Sequence, residues 1–561
     1  MKKFAFILMA AAAIFASCNK EENPQSGNNT PGEKLTVKAD FTISANPCFV
    51  GDEITFTATA TGGAEPYTYN WEVGSDIKLE GQEVKYTFEK NNAYIVKLTV
   101  LDSYGNKAEK RKNLVVNPAV IAEKGDVTLL WAAYTRGYNA VSSPAVADDG
   151  SVYAVSGANA DNPGMLYKFD KDGKQLWAKE LGGQAKGTPS IDTDGTVYLG
   201  NGSSNGTAAI FAFNPDGSKK WEFASDQFWA APGATLAASM QGGICGIGSK
   251  NIYFGNCGTT GSVLAADKAT GARVGWVTNA DGTGGPAGGV RSGVVITKNG
   301  QIVWGGGKYG THFIAQSKLD GAGNAGVAYD NRYYPIQAKN NTEGGIAVLT
   351  INGKTCVAGL WTSNDTGIPW IYAFDVATGE AVCNFIIEDS PEMDNGAIVV
   401  TKEGYLVGTL NFSNGQENGG IIIVDPSTAD GRKVAEYRVQ EKVSGSPAID
   451  AAGNIHFGTE SGNYYVVDKD CKLIAKRDLK ELILADSRYT EAIPFTDAAK
   501  VYSSVVIGDD GKVFIQFTNN DSGKKRAFGA IACLQIPECK GVSDSVWPMF
   551  GQNRRHTNNQ K

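Results

Sequence analysis

Aromatic residues in the middle of the chain are the side chains best suited to chemistry, and the chemistry they suit is the binding of a sugar. Aromatic rings cover the flat C–H faces of sugars, while nearby polar side chains bond the hydroxyl groups. Asn331, Arg332, Asn364 and Asp365 supply such polar neighbours. Packing within their own loops is the alternative role for the aromatic residues. The predicted ligand-binding residues are Trp229, Tyr309, His312, Tyr333, Tyr334, Trp361 and Trp370.

Residues for catalysis or metal binding are sparse. The three histidines, His312, His456 and His556, are far apart in the sequence, so they form neither a local zinc pair nor an evident set of nucleophile, base and orienting group. His456 lies in the strand-like segment NIHFGT and is predicted to be packed. Several aspartates occupy hairpin turns, where local hydrogen bonding explains them without calcium: Asp148-Asp149, Asp192, Asp194 and Asp509-Asp510. We therefore predict no catalytic residue, no metal and no cofactor.

A repeat defines the elements that position these residues. SSPAVADDGSVYAVS followed by LYKFDKDGKQLWAKEL, within residues 142–181, recurs as GTPSIDTDGTVYLGN followed by IFAFNPDGSKKWEF, within residues 187–223. Each copy predicts four short strands, since apolar residues alternate with a period of two and Asp-Gly pairs suit tight hairpins. Similar units of four strands recurring every 40 to 60 residues or so predict the blades of a β-propeller.

The repeat continues as eight units, with seven as the alternative count. Leu129–Tyr134 matches an outer strand, whereas the last unit ends near Leu534 without one, so this N-terminal segment is predicted to close the ring. The tryptophans at one repeating position are predicted to be core residues: Trp131, Trp177, Trp221 and Trp276. The predicted first strands begin near Ser142, Gly187, Thr235, Val290, Gly344, Asn395, Ser444 and Tyr502.

These blades resemble the PQQ-like, quinoprotein-dehydrogenase-like propeller family, and the tail Trp547–Thr557 looks like a terminal motif of such repeats. The resemblance implies the fold but not the chemistry, because folds of this kind carry dehydrogenases, assembly lipoproteins, lyases and binding platforms. The vicinal cysteine pair of many quinoprotein dehydrogenases is missing here. The resemblance therefore implies no PQQ cofactor.

Residues 1–18 have the charged start, apolar core and small residues of a secretory signal. Cys18 resembles the lipidated cysteine of a bacterial lipobox, with Phe15 in place of the more usual Leu; an ordinary signal peptide is the alternative. The following Asn19–Glu22 resembles the signal that sends Bacteroidetes lipoproteins to the outer face of the outer membrane. Residues 19–34 are too polar to form a core and are predicted to be a disordered tether.

The sequence pattern of residues 35–118 predicts a separate β-sandwich that resembles a PKD domain. Residues 119–561 are predicted to form the propeller. Tyr69–Trp71, Tyr86–Phe88 and Tyr94–Gly105 match the strands of that domain, although Glu72–Asp76 departs from its usual motif. Trp71 is predicted to be a core residue. The predicted fold class is therefore all-β, an Ig-like PKD sandwich followed by an eight-bladed or seven-bladed propeller, with the sandwich as a spacer.

The eight cysteines besides Cys18 include three pairs that could form disulfides, because an exported chain meets an oxidising environment. Cys48 and Cys471 are predicted to be buried thiols. The predicted pairs are Cys245 with Cys257, Cys356 with Cys383, and Cys533 with Cys539.

The formal net charge of −7 argues against nucleic-acid binding, and Arg554-Arg555 is predicted to be a solvated tail. The leading hypothesis is a non-enzymatic, lipid-anchored protein of the outer membrane, on the cell surface, that captures a glycan for an outer-membrane importer. A small ligand such as a corrinoid is a variant of it. The alternatives are an assembly scaffold of the outer membrane, and a polysaccharide lyase or hydrolase that uses carboxylates and His312.

Overall fold

The computed structural model divides the chain into two compact units, Met1–Ile121 and Ala122–Lys561. The predicted signal sequence, Cys18 and the predicted tether lie outside the described residues. The structure describes residues 36–46, 48–49, 51–89, 92–117, 125–136, 142–157, 163–182, 185, 187–201, 209–224, 245–255, 263–278, 293–306, 311–317, 327–328, 333–337, 345–362, 369–387, 396–412, 418–486, 499–519 and 528–560.

The N-terminal unit is a sandwich of two β-sheets. Its strands are β1 (Lys38–Ile43), β2 (Cys48–Phe49), β3 (Glu53–Thr61), β4 (Thr68–Val73), β5 (Ile77–Glu80), β6 (Glu83–Thr87), β7 (Asn92–Leu101) and β8 (Lys107–Asn117). One sheet has the order β1-β3-β6 and the other β2-β8-β7-β4-β5. Inward residues alternate with outward ones along β3, as expected of strands that are covered on one face.

Trp71 lies in the core of this unit, as the sequence predicted. Its side chain is 1% exposed, and its ring meets the edge of Phe41 with 5.1 Å between centroids. The indole N–H donates a hydrogen bond to the Gly81 carbonyl oxygen at 2.9 Å. Because that donor is satisfied, the large ring is buried without an unpaired polar group.

In the described part of the C-terminal unit, all the elements are β-strands except one short helix, and the strands form eight successive sheets. An additional strand, β25 (Val327–Ala328), pairs in parallel with the fourth strand of the third sheet. The strands of the first four sheets, after β9 (Thr128–Arg136), are β10 (Ala145–Val146), β11 (Val152–Ser156), β12 (Met165–Phe169) and β13 (Gln175–Glu180); β14 (Ser190–Ile191), β15 (Val197–Gly200), β16 (Ala209–Phe213) and β17 (Lys219–Ala224); β18 (Gly246–Ile247), β19 (Asn251–Gly255), β20 (Val263–Asp267) and β21 (Arg273–Thr278); β22 (Val294–Ile296), β23 (Ile302–Gly306), β24 (Thr311–Ser317) and β26 (Tyr333–Gln337).

The second half of the unit repeats this arrangement. The helix α1 (Leu479–Leu484) follows the seventh sheet, and Asp478 caps it by accepting hydrogen bonds from the backbone N–H groups of Lys480 and Glu481. The strands of the last four sheets are β27 (Ala347–Ile351), β28 (Lys354–Thr362), β29 (Pro369–Asp375) and β30 (Ala381–Ile386); β31 (Val399–Val400), β32 (Leu406–Phe412), β33 (Asn418–Asp425) and β34 (Arg432–Val439); β35 (Ala448–Ile449), β36 (Ile455–Gly458), β37 (Asn463–Val467) and β38 (Leu473–Asp478); β39 (Ala499–Lys500), β40 (Val506–Ile507), β41 (Val513–Asn519) and β42 (Phe528–Gln535).

The N-terminal strand β9 completes the last sheet, which confirms the predicted closure. It pairs antiparallel with β42, so that Trp131 lies opposite Cys533 and Tyr134 opposite Ala530. The two ends of the unit are thereby joined by backbone hydrogen bonds. The outer edge of β42 does not stay free to pair with another chain.

The repeating tryptophans dock each sheet against the next. Trp131 and Trp221 are buried and Trp177 is half-buried, whereas the side chain of Trp276 lies outside the described residues. In these three tryptophans, the indole N–H donates to a backbone carbonyl in the outer hairpin of the following sheet. The bonds are Trp131 to Lys171 at 2.9 Å, Trp177 to Pro215 at 3.1 Å and Trp221 to Lys268 at 3.0 Å. These side chains are therefore packing residues between sheets, as predicted.

The third sheet begins later in the chain than the sequence indicated. Its first strand, β18, starts at Gly246, whereas the predicted start at Thr235 lies outside the described residues. The segment before β18 lacks the Ser-Pro or Thr-Pro pair that marks the first strands of the first two sheets. The small residues near Thr235 therefore predicted the start of this first strand too early in the chain.

Two of the predicted disulfides are wrong, because the cysteines are free and buried. Cys356 in β28 and Cys383 in β30 are separated by the strand between them. Two strand spacings amount to roughly 9.5 Å, beyond the reach of a disulfide. Cys533 lies within β42 and Cys539 beyond its end, beside Asp450 of the seventh sheet.

The other cysteine predictions have different outcomes. Cys48 and Cys471 are buried free thiols, as predicted. Burial raises the pKa of the Cys471 thiol to about 12, so it stays protonated at neutral pH. Cys257 lies outside the described residues, so its pairing with Cys245 stays a prediction. The described residues include no helix that is long and apolar enough to cross a membrane.

Replacing Gly271 with Ala is expected to lower the free energy of unfolding of the C-terminal unit by about 2–4 kcal/mol. A Cβ at Gly271 would lie 2.6 Å from the Trp221 ring, and the φ of +70° favours glycine. Gly353→Ala is the matched control, since φ is +78° but a Cβ meets nothing within 4 Å; its expected cost is about 1 kcal/mol. Denaturant unfolding followed by tryptophan fluorescence compares the two. Equal losses would contradict the docking of Trp221 on this turn.

Candidate functional site

The first strands of the sheets surround the axis of the C-terminal unit, and hydroxyl groups link them. The backbone N–H of Ser143 donates to Thr188 Oγ1 at 3.1 Å, and that of Ser446 donates to Ser504 Oγ at 3.2 Å. The N–H of Ser504 donates to Ser143 Oγ at 2.9 Å, which joins the eighth sheet to the first. Three of these residues, Ser143, Thr188 and Ser446, precede a proline in the repeat. We call this set the hydroxyl belt.

The C-terminal tail, residues 536–560, crosses one end of the ring and pairs with the first strands. In six sheets, the last residue of the first strand donates its backbone N–H to a carbonyl oxygen of the tail. The pairs are Val146 with Arg554, Ile191 with Arg555, Ile247 with Thr557, Ile296 with Asn558, Val400 with Trp547 and Ile449 with Pro548, at 2.8–2.9 Å. The end of the ring that carries these bonds is called the tail face.

Side chains of the tail reach the two sheets that its backbone does not pair with. Gln560 Nε2 donates to the Val348 carbonyl oxygen of the fifth sheet at 3.1 Å. The Arg554 guanidinium bonds Asp509 of the eighth sheet at 2.7 Å and Asp148 of the first at 2.8 Å. The prediction of a solvated tail is wrong for Arg554, whose side chain is only 15% exposed because these partners hold it in place.

Two aromatic rings of the tail close the axis itself. Phe550 packs against Ala397 of the sixth sheet and is so close to the fifth sheet that a Cβ on Gly345 would lie 2.7 Å from its ring. On the opposite side, the buried His556 donates from Nδ1 to the Pro189 carbonyl oxygen at 3.2 Å. The two ring centroids are 5.7 Å apart. The tail therefore closes the channel at this end, and we call Phe550 and His556 the plug.

The described residues among the predicted ligand-binding residues lie towards the other end, which we call the connection face. The first strand of each sheet runs towards the tail face, and the second strand runs back in the opposite direction. Second strands therefore end, and third strands begin, at the connection face. Trp361 is next to last in β28 and Trp370 is second in β29, while His312 is second in β24. Tyr333, in β26 beside Tyr334, is the cross-strand partner of Phe313. Trp229 and Tyr309 lie outside the described residues.

The structure brings two of these residues together. The Cα atoms of Trp361 and Trp370 are direct partners in the register of β28 and β29, a spacing of about 5 Å. The half-buried Trp370 ring lies 4.9 Å from Tyr372, which stacks on Phe374 at 5.4 Å. The indole N–H of Trp370 is shielded and has no acceptor in the described part of the chain. A ligand oxygen could supply that acceptor.

A network around Glu441 on the connection face was not found from the sequence, since a single Glu carries no pattern. Oε2 accepts from the Thr459 hydroxyl and from Asn463 Nδ2 at 3.0 Å, and Oε1 accepts from the Tyr465 hydroxyl at 2.6 Å. Burial acts to raise the pKa of Glu441, but these bonds outweigh it and lower the pKa. A carboxylate that stays ionised and fully bonded holds its loop and is not suited to proton transfer near neutral pH.

Two further predictions concern the aspartates of the hairpin turns and the burial of His456. Asp149 Oδ1 accepts from the Ser151 N–H at 2.8 Å and Asp194 Oδ1 from the Thr196 N–H at 2.8 Å, which confirms their role in the hairpins. His456 is fully buried, as predicted. The side chain of His312 lies outside the described residues, so its catalytic role stays an alternative.

Comparisons with known proteins agree with this architecture. The family model of the PKD domain matches residues 38–116, and the model described as outer membrane protein assembly factor BamB matches residues 120–382. The chain is therefore a two-domain protein of the β-propeller class. More particularly, it joins an N-terminal PKD domain to a propeller of PQQ-like repeats.

Solved structures resemble the chain at low identity. BamB from Moraxella catarrhalis aligns with 74% of this chain and 98% of its own, at 12% identity and a TM-score of 0.47. A quinoprotein alcohol dehydrogenase-like protein from Bacteroides thetaiotaomicron aligns with 90% of this chain and 95% of its own, at 13% identity and a TM-score of 0.30. Comparison with curated protein sequences finds no match.

The plug predicts a loss of stability in acid that depends on His556. Burial lowers the pKa of His556 from 6.5 to about 4 in the folded chain, and the bond to Pro189 opposes this only in part. The unfolded chain therefore binds the proton first, so the stability from neutral His556 is present above pH 6.5. It is lost as the pH falls towards 4, by up to about 3 kcal/mol.

His556→Asn tests this expectation, because Asn does not titrate and tolerates the φ of +53° at this position. Denaturant midpoints at pH 7.5 and pH 4.5 should differ less for the variant than for the unaltered chain. The same pH dependence in both chains would show that His556 does not remain neutral in the folded plug.

Proposed function

We propose that the chain is a non-enzymatic lipoprotein of the outer-membrane surface that binds a glycan at the connection face and passes it to an importer. The observation that carries the proposal is the plug. Because the tail occupies the first strands and the axis on the tail face, a ligand of the channel must approach from the connection face. That is the face to which the described residues among the predicted binding residues belong.

The chemistry of Trp370 supports a sugar as the ligand. A half-buried ring supported by Tyr372 and Phe374 offers a rigid apolar surface for the C–H face of a sugar. Its shielded N–H has no acceptor in the described residues, and a sugar hydroxyl would satisfy it. We include Trp361 in the proposed site because it is the cross-strand partner of Trp370.

The N-terminal features support the location. The signal-like residues 1–17, Cys18 and Asn19–Glu22 resemble an exported and lipidated leader. Anchoring at Cys18 would attach the chain to the membrane by acyl chains, each buried methylene contributing about 0.8 kcal/mol. The PKD domain would then separate the propeller from the lipid surface.

A glycan array with the purified full chain tests the function, and substitutions test the site. Trp370→Ala is expected to weaken binding of a glycan hit about tenfold or more, a loss of about 1.4 kcal/mol. Tyr104→Ala is the matched control, because Tyr104 is an 83% exposed aromatic residue of the N-terminal unit. Trp229→Ala and Trp361→Ala extend the series. A hit unchanged by all three Trp substitutions would contradict the site, and no glycan binding would contradict the function.

The second candidate is a scaffold for outer-membrane assembly, and the match of residues 120–382 to the BamB family model favours it. This role requires the periplasmic leaflet, whereas capture requires the cell surface. Protease added to intact cells distinguishes them. Cleavage of the chain would support capture, while complete protection, together with cleavage after the outer membrane is permeabilised, would support the scaffold.

A further inference from the structure

Three side chains with metal-binding atoms meet where the tail leaves the last sheet. Asp450 follows β35, His456 is the second residue of β36, and Cys539 lies in the tail just beyond β42. A carboxylate oxygen, an imidazole nitrogen and the thiol sulfur all lie within 4.8 Å of one another. Asp450 and His456 are fully buried, and Cys539 is 4% exposed. Neither the capture function nor the scaffold function uses this cluster.

The surroundings orient the two ligands of the seventh sheet. Asp450 Oδ1 accepts from the N–H groups of Ala452 at 2.9 Å and Asn454 at 2.8 Å. His456 Nδ1 lies 2.6 Å from the Tyr464 hydroxyl oxygen. A histidine that binds a metal through one ring nitrogen commonly hydrogen-bonds an oxygen through the other, which fixes the ring. The arrangement leaves Nε2 of His456 directed at the cluster.

The distance between the Asp450 and His456 ligand atoms suits a small tetrahedral ion. His456 Nε2 lies 3.1 Å from Asp450 Oδ2, and two ligand atoms on a zinc ion with bonds of about 2.0 Å are roughly 3.3 Å apart. Asp450 Oδ2 also accepts from Asn454 Nδ2 at 2.9 Å. Hydrogen bonds thus account for Asp450 and His456, whereas the Cys539 sulfur, within 4.8 Å of both ligand atoms, makes only a long contact of 3.9 Å with the Gly541 carbonyl oxygen among the described residues. A soft sulfur ligand together with an imidazole favours zinc-class ions over magnesium or calcium.

We propose that Asp450, His456 and Cys539 bind one zinc-class transition metal ion. Binding forms a bond from the metal to the Cys539 thiolate, and the thiol proton leaves to the solvent. The three ligands come from the seventh sheet and the tail, so the ion joins these two parts. The same place is already bridged by the Ala451 N–H to the Gly541 carbonyl oxygen at 2.9 Å. Because the ligands are buried, the chain takes up the ion as it folds.

Metal analysis and cobalt substitution of the purified full chain test the proposal. The chain is refolded with Zn²⁺ or with Co²⁺ and then dialysed. We expect about one metal ion per chain and, with cobalt, a near-ultraviolet absorption band from thiolate to metal. Cys539→Ala should lose both. Cys533→Ala should keep both, and it is the matched control because Cys533 is another buried free thiol close by in the chain.

Two results would overturn the proposal. One is a folded, unaltered chain that retains less than about a tenth of an equivalent of metal and shows no cobalt–thiolate band. The other is a folded Cys539→Ala chain that holds as much metal as the Cys533→Ala chain. The first measurement needs no variant, so it decides the question even where Cys539→Ala does not fold.

Discussion

The unpaired inner edges of the first strands are the constraint on which the ring depends. Each first strand pairs with a second strand on one side only, and a buried backbone N–H without a partner costs free energy. Tail carbonyls accept from six of these strands at their last residues. The hydroxyl belt serves the residues just before them, from Ser143 to Ser504. The tail thus completes the backbone hydrogen bonding of the ring.

This constraint makes the two faces of the ring different. On the tail face, tight turns and the tail are bonded to every sheet, and Phe550 with His556 fills the axis. The connection face carries the links between sheets, where a side chain can change without breaking the inner-edge bonds. Binding residues favour loops held on a rigid scaffold. Under the proposed function, the ligand approaches from the opposite face because the plug fills the tail face. The Glu441 network shows how hydrogen bonds fix a loop there.

The outer parts of the sheets use a second recurring contact. A glycine in an outer hairpin lets the backbone approach the Trp of the preceding sheet, and that indole N–H donates to the same hairpin. At Gly173, a Cβ would lie 2.6 Å from Trp131, so only glycine fits. The contact between β9 and the first sheet repeats this pairing, which explains why a strand from the start of the chain can complete the eighth sheet.

The sequence by itself determined the features that depend on local pattern and self-similarity: the strand period, the Asp-Gly turns, the docking tryptophans, the core position of Trp71 and the closing strand β9. The propeller features are visible within one repeat or in its comparison with the next, and Trp71 lies in a segment that matches a strand of the PKD domain. Only the tertiary structure decided the path of the tail, the partners of Arg554 and the separation of Cys356 from Cys383 by a strand. It alone brought Asp450 and His456 to Cys539. Such contacts join residues far apart in the chain, and their positions are set by the packing of whole sheets around one axis.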